Sequence, residues 1–143
     1  MAETTQIHPD TVKAFKATAY RLGHTRQDIV LYIEQRSERL TRLFADSGVN
    51  CGAFLTAYNP RSTIQPDEVN DRAHVQLAAK LEELGLQAIE GSGSEEGTEW
   101  PAEKSYFALG LALEPAKAIG TQFDQDAIVW VGPDAVPQLI LLR

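Results

Sequence analysis

Apolar residues recur every three or four positions between residues 66 and 84, which is the spacing of one face of an α-helix. Gly85 follows this segment and predicts its end. Shorter patterns of the same kind predict helices over residues 8–20, 37–48 and 114–123. The second of these has Ser37 in the N-cap position and Gly48 at its end.

Six segments rich in β-branched, aromatic or continuous apolar residues predict strands. They cover residues 28–33, 51–58, 86–90, 104–111, 127–131 and 136–142. The last two segments flank a Gly-Pro-Asp turn and predict a hairpin. Residues 91–103 combine glycines and acids without periodicity, so they predict a loop.

The resulting element order is α-β-α-β-α-β-β-α-β-β. It predicts an α/β fold in a single domain over residues 1–143, with a mixed sheet of about five to six strands flanked by helices. Helical connections between strands imply some parallel pairing, whereas the hairpin implies antiparallel pairing. An α+β arrangement is the alternative.

The chain has 143 residues, of which 20 are acidic and 13 basic, and its net charge is −7. Residues 1–72 contain nine acids and nine bases, so the net charge of −7 comes entirely from residues 73–143. This balance argues against nucleic acid as a partner, since phosphate binding needs clustered Lys and Arg. No apolar run reaches the roughly 20 residues of a membrane span. With Cys51 as its lone cysteine, the chain fits a reducing, cytoplasmic setting.

A first group of candidate ligand-binding residues follows the predicted strand 51–58. Asn59, Arg61 and Ser62 offer an amide, a guanidinium and a hydroxyl just beyond the strand end, where open α/β sheets bind ligands. The alternative is that Asn59 and Pro60 form an ordinary turn and that Arg61 is solvated.

Asn70 is the next candidate, because it lies in the first turns of the long helix, where it could lean over the Asn59 turn. A solvated helix start is the alternative interpretation.

Glu103 and Gln125 each lie at the start of an apolar segment predicted as a strand. A carboxyl group at such a place can serve as a general acid or base, and an amide can orient a ligand. The alternatives are that Gln125 caps backbone groups and that Glu103 pairs with a basic residue.

Other motifs argue against a cofactor or a metal. The glycine-rich segment 91–97 lacks the Gly-Lys-Ser/Thr ending of a phosphate loop and contains Glu95 and Glu96 instead. The acids of this loop lack the alternating pattern of a calcium site, so a flexible acidic loop is favoured. Cys51 lies in an apolar strand and predicts a buried, protonated thiol. The histidines lack a metal-binding spacing, and they are interpreted as surface residues.

Taken together and in order, several motifs resemble one known family. They are AYNPRS at 57–62, Asn70, the WPAE motif at 100–103, SYFALGL at 105–111 and FDQDAIVW at 123–130. The chain resembles the bacterial domain-of-unknown-function family 3293 over about residues 15–142. The resemblance implies no reaction, but it selects the same polar residues, Asn59, Asn70, Glu103 and Gln125.

We expect a small-molecule or peptide binding module with a polar pocket formed by the candidate residues. One alternative is an enzyme in which Glu103 is the acid or base and the amides orient the substrate. Another is an interaction protein, whose acidic second half binds a basic partner or whose hairpin edge pairs with a second copy. The expected partners are therefore a small molecule or a second copy of the chain.

Overall fold

The computed structural model describes residues 5–23, 29–95, 97–98 and 100–143. The helices in these ranges are α1 (Pro9–Ala17), α2 (Glu38–Ser47), α3 (Asp67–Glu83) and α4 (Leu113–Gln122). The strands are β1 (Ala19–Leu22), β2 (Ile29–Leu31), β3 (Gly52–Thr56), β4 (Ala88–Ser94), β5 (Glu103–Leu109), β6 (Ala127–Val131) and β7 (Pro137–Leu141). A short 3-10 turn, Pro60–Ser62, follows β3.

The strands form one sheet in the order β2-β1-β4-β5-β3-β6-β7, and every pairing in the described part is antiparallel. The predicted α/β fold with a mixed sheet is therefore wrong, and the fold is of the α+β kind. The helices do connect strands of the same direction, since α3 joins β3 to β4 and α4 joins β5 to β6. The two strands joined by each helix are not neighbours in the sheet, because one antiparallel strand lies between them. This strand is β5 for the pair β3 and β4, and β3 for the pair β5 and β6.

The sheet has more strands than the five to six predicted, because β1 falls within and just beyond a predicted helix. The backbone leaves the helical conformation at Thr18, and β1 begins at the next residue. β4 also extends through Ser94, into the segment predicted as a loop. A Cβ atom added at Gly91 would lie 2.1 Å from the Arg21 carbonyl oxygen. The glycine therefore allows β1 to approach β4, rather than marking a loop.

Both faces of the sheet carry helices. On the first face, called the cavity face below, Phe54, Phe107 and Val129 pack with Leu40 and Phe44 of α2. On the second face, the helix face, residues of β3 pack under α3 and α4. This second core contains Ala53, Leu55, Leu77, Leu81, Ala116 and Ile119. The central strand β3 is buried on both sides, as its continuous apolar sequence predicts.

The predicted helix limits are confirmed for α2 and α3. The Ser37 hydroxyl accepts the Leu40 N–H at 3.1 Å, and Gly48 ends α2 in the left-handed region. α3 ends two residues before Gly85. None of the helices in the described ranges is both long enough and apolar enough to cross a membrane.

Candidate functional site

A cavity of about 290 Å³ lies between α1 and the cavity face of the sheet. Its floor is apolar, because Phe54, Val129 and Leu139 are cross-strand neighbours on β3, β6 and β7. The aromatic rings of Phe15 and Tyr20 contribute to the wall. Polar residues gather where β3 ends; they are Asn59, Ser62, Trp100, Glu103 and Gln125.

The polar residues converge because β3 runs antiparallel to both of its neighbours. The end of β3 therefore lies beside the starts of β5 and β6, and Thr56 pairs with Ser105. Glu103 begins β5, and Gln125 precedes β6 by two residues. The strand ends therefore bring Asn59, Ser62, Glu103 and Gln125 together, and antiparallel register rather than a parallel sheet explains this.

Asn59 is 3% exposed, and its orientation is fixed by its hydrogen bonds. Its side-chain oxygen accepts the Gln65 N–H and the Asn70 amide N–H, both at 2.9 Å. The Asn70 oxygen in turn accepts the backbone N–H of Asn59 at 2.9 Å. A backbone N–H can only donate, so the atom of Asn59 that faces the Gln65 N–H must be the side-chain oxygen. The side-chain nitrogen of Asn59 therefore faces Glu103, to which it donates at 2.8 Å.

Glu103 is partly buried, and both of its side-chain hydrogen bonds fall on one oxygen. Oε2 accepts the Asn59 amide at 2.8 Å and the Trp100 indole N–H at 3.2 Å. Among the described residues, Oε1 accepts no hydrogen bond and the carboxyl group forms no ion pair. Burial raises the pKa of Glu103, and the bonds from Asn59 and Trp100 counteract part of that shift.

Gln125 is 7% exposed, and its side-chain nitrogen donates to the carbonyls of Tyr58 at 3.1 Å and Phe123 at 3.4 Å. Since carbonyls only accept, these bonds fix the amide so that its oxygen points away from them. No described residue donates a hydrogen bond to that oxygen. Gln125 thus caps backbone groups, as the alternative interpretation predicted, and it also lines the cavity.

Asp126 is 5% exposed and is neutralised within the fold. Its two oxygens accept the Ser62 hydroxyl and the Arg143 guanidinium, each at 2.7 Å. The turn that presents Ser62 is strained, because Asn59, Arg61 and Ser62 have φ values of 46°, 55° and 57°. Non-glycine residues in this region cost about 1–3 kcal/mol each, and such strain concentrates at functional sites.

Of the six candidate residues, Asn59, Ser62, Glu103 and Gln125 line the cavity. Asn70 lies behind Asn59 and orients it, as its place in the helix suggested. Arg61 is not brought to the cavity: its side chain is 60% exposed and lies 3.8 Å from Asp124. That these residues bind a ligand stays a prediction.

The cavity also contains residues that the sequence analysis did not select. Asp10, Thr11 and Phe15 come from α1, and Gly93 comes from the segment predicted as a loop. The helical spacing of Val12, Phe15 and Ala19 indicated an apolar face of the first helix, but it gave no sign of what that face covers. Glu96 and Glu99 of the predicted acidic loop lie outside the described residues.

A second polar cluster lies on the helix face, outside the cavity. The Tyr58 hydroxyl donates to Asp71, whose carboxylate lies 3.3 Å from the Lys104 ammonium. The His74 ring stacks on Tyr106 with centroids 4.4 Å apart, and its Nδ1 is buried without a partner among the described residues. Burial lowers the pKa of His74. His74 is thus partly buried against Tyr106 rather than fully exposed, as its interpretation as a surface residue suggested.

Cys51 lies outside the cavity lining, directly before β3, and it is partly exposed rather than buried in the strand as predicted. Desolvation raises the pKa of its thiol, which agrees with the predicted protonated state.

Comparison with known proteins gives one family. The sequence model of a family described as a protein of unknown function, DUF3293, matches residues 55–128, just over half of the chain. The matched region runs from β3 to the start of β6 and includes the polar end of the cavity. No curated protein and no solved structure gives a significant match.

Proposed function

Because this chain belongs to the DUF3293 family, whose function is unknown, we propose its function from the chemistry of the site: it binds a small molecule in the cavity between α1 and the sheet. The observation that carries the proposal is a cavity of about 290 Å³ with an apolar floor and, at its polar end, two side chains that each have one oxygen accepting no hydrogen bond from the described residues. These oxygens belong to Glu103 and Gln125.

The polar end is ordered before any ligand arrives. Asn70 and Gln65 hold Asn59, Asn59 holds Glu103, and two carbonyls hold Gln125. A ligand that donates to these oxygens meets acceptors that are already oriented, so little conformational freedom is lost on binding. An apolar floor beside a few fixed polar groups is the common composition of small-molecule sites.

Binding is favoured over catalysis because the hydroxyls at the polar end are already engaged. Ser62 donates to Asp126, and Ser105 donates to the Glu103 carbonyl at 3.0 Å. The described lining contains no His, Cys or Lys that could act as a base or nucleophile. An enzyme in which Glu103 is the acid or base is the second candidate function, and the raised pKa of Glu103 favours it over the other lining carboxyl groups.

Thermal-shift screening of small amphipathic compounds tests the proposal, with Gly93→Leu as the variant that fills the cavity. A Cβ atom added at Gly93 would lie 3.6 Å from Thr18 and 3.8 Å from Tyr20, both of which line the cavity. At about 100 times Kd, a ligand stabilises the fold by about 2.7 kcal/mol.

We expect compounds that stabilise the wild type and Arg61→Ala but not Gly93→Leu. Arg61 is the matched control because it lies outside this cavity. The proposal is overturned if no compound stabilises the wild type, or if the compounds that do so stabilise Gly93→Leu equally.

A further inference from the structure

Resting on the proposed binding function, we infer that the ligand is a small organic cation, a protonated amine on an apolar body. Its ammonium group binds the carboxylate of Glu103 and the amide oxygen of Gln125, and its body lies against Phe54 and Val129. This names the chemical class of the ligand, which the proposed function leaves open.

The charges around the cavity favour a cation. Its described lining contains the carboxylates of Asp10, Glu95 and Glu103 and no Lys, Arg or His. The neighbouring buried carboxylate, Asp126, has its counter-ion in Arg143 at 2.7 Å. Glu103 has no such partner among the described residues, although a partly buried carboxylate gains most from one.

The hydrogen bonds favour a donor rather than an acceptor. The Asn59 amide and the Trp100 indole already donate to Glu103. Five of the seven hydroxyls in the described lining also donate to protein oxygens; they belong to Thr18, Tyr20, Thr56, Ser62 and Ser105. A carboxylate or phosphate ligand would therefore find most of these donors engaged and would meet like charge, whereas an ammonium has three N–H groups for the free oxygens of Glu103 and Gln125.

The two acceptors come from separate parts of the chain with fixed orientations. The side-chain nitrogen of Gln125 donates to the carbonyls of Tyr58 and Phe123, and these two bonds fix the orientation of the Gln125 side-chain oxygen. Glu103 receives two donors on Oε2, which is an arrangement suited to a carboxylate that is ionised. Because hydrogen bonds already fix both side chains, a donor that reaches their free oxygens meets prearranged partners.

The apolar floor defines the rest of the ligand. Along β3 the cavity changes from Phe54 through Thr56 to Asn59, so an apolar body and a polar head are held in line. The volume of about 290 Å³ is at the small end of ligand sites. A short alkyl or arylalkyl amine fits this size, and the rings of Phe15, Tyr20 and Phe54 favour the arylalkyl kind.

Isothermal titration calorimetry with three compounds of matched shape tests the inference. The probes are phenethylamine, 2-phenylethanol and phenylacetate, titrated near neutral pH into the wild type, Glu103→Gln and Gly93→Leu. We expect the wild type to bind the amine about tenfold or more tightly than the alcohol, and the carboxylate most weakly.

Glu103→Gln removes the charge and retains an oxygen that can accept from Asn59. We expect it to lose the preference for the amine while its affinity for the alcohol changes less than about threefold. Alcohol binding thereby reports that the variant is folded, and the amine-to-alcohol ratio of the wild type is a test that needs no variant.

The possible failures are distinguishable. If the carboxylate or the alcohol binds the wild type as tightly as the amine, the cation is overturned and the binding function stands. If Glu103→Gln keeps the amine preference, the assignment to Glu103 is overturned. If no probe binds, but screened compounds stabilise the wild type and not Gly93→Leu, the amine class is overturned and the binding function stands. If neither probes nor screened compounds bind, both proposals are overturned.

Discussion

The Asn70 side chain accepts the backbone N–H of Asn59 at 2.9 Å, and it donates back to the Asn59 side chain at the same distance. This reciprocal pair joins the start of α3 to the turn after β3, and Asn70 is 2% exposed. The pair holds the Asn59 amide in the orientation that meets Glu103.

Asn70→Ala should therefore destabilise the protein by about 1–3 kcal/mol, because it leaves the buried backbone N–H of Asn59 without its acceptor and removes one of the two donors to the Asn59 side-chain oxygen. Urea unfolding measures the loss. Gln76→Ala, at an exposed position of the same helix, is the control and should change stability by less than about 0.5 kcal/mol. An effect of similar size in both variants would contradict the structural role of Asn70.

The glycines of β4 should respond differently to alanine. A Cβ atom at Gly91 would lie 2.1 Å from the Arg21 carbonyl oxygen, whereas one at Gly93 would meet its neighbours at 3.6 Å or more. We expect Gly91→Ala to cost about 3 kcal/mol or more through displacement of β1, and Gly93→Ala to stay within about 1 kcal/mol of the wild type. Denaturant unfolding of the two variants side by side decides the matter, and equal stabilities would refute the close approach of β1.

Loss of the Arg143 side chain should leave the buried carboxylate of Asp126 without its counter-ion. We expect Arg143→Ala to lower the free energy of unfolding by about 3 kcal/mol, since removal of one partner from a buried pair leaves the other charge uncompensated. Lys117→Ala, which breaks an exposed pair with Glu114, should cost less than about 1 kcal/mol. Thermal denaturation of the two variants compares them, and a harmless Arg143→Ala would show that the pair does not stabilise the fold.

The raised pKa of Glu103 predicts a pH dependence of stability. Between the unfolded and the folded pKa, the folded chain holds a proton that the unfolded chain has released. The free energy of unfolding therefore falls as the pH rises through this window, and the loss is complete above the folded pKa.

Glu103→Gln cannot titrate, so its stability relative to the wild type should increase as the pH rises from about 4 through the folded pKa of Glu103 and then level off. Urea unfolding of both proteins across this range isolates the contribution of Glu103, because the other titrating groups are shared. A difference that does not vary with pH would contradict the raised pKa.

The sequence was sufficient for elements whose limits are set locally. The helix α2 has a serine cap and a glycine stop, and β3 has a continuous apolar run. The sequence did not indicate β1, because Ala19 continues the helical spacing of Phe15. The pairing with β4 that overrides this spacing depends on residues about 70 positions away. Gly91 and Gly93 were interpreted as a loop because the carbonyl that requires Gly91 belongs to another strand.

The candidate site was predictable in part for a related reason. The sequence alone shows polar residues at the ends of apolar segments, namely Asn59, Glu103 and Gln125. Arg61 shares the turn with Asn59 and Ser62, yet its side chain is directed to Asp124, and only the backbone conformation of the turn decides this. The closure of the cavity by α1 depends on tertiary packing, and no local pattern reports it.

The order of strands around β3 has a consequence for synthesis of the protein. β3 ends at Thr56, but its two neighbours begin at Glu103 and Ala127, so the nascent chain must carry an unpaired apolar strand while it leaves the ribosome. Such non-local pairing slows folding, because the entropy cost of closing a long loop comes before the stabilising contacts form. The cavity beneath α1 is lined by residues of β3, β5, β6 and β7, so it can form only after all four of these strands have been synthesised.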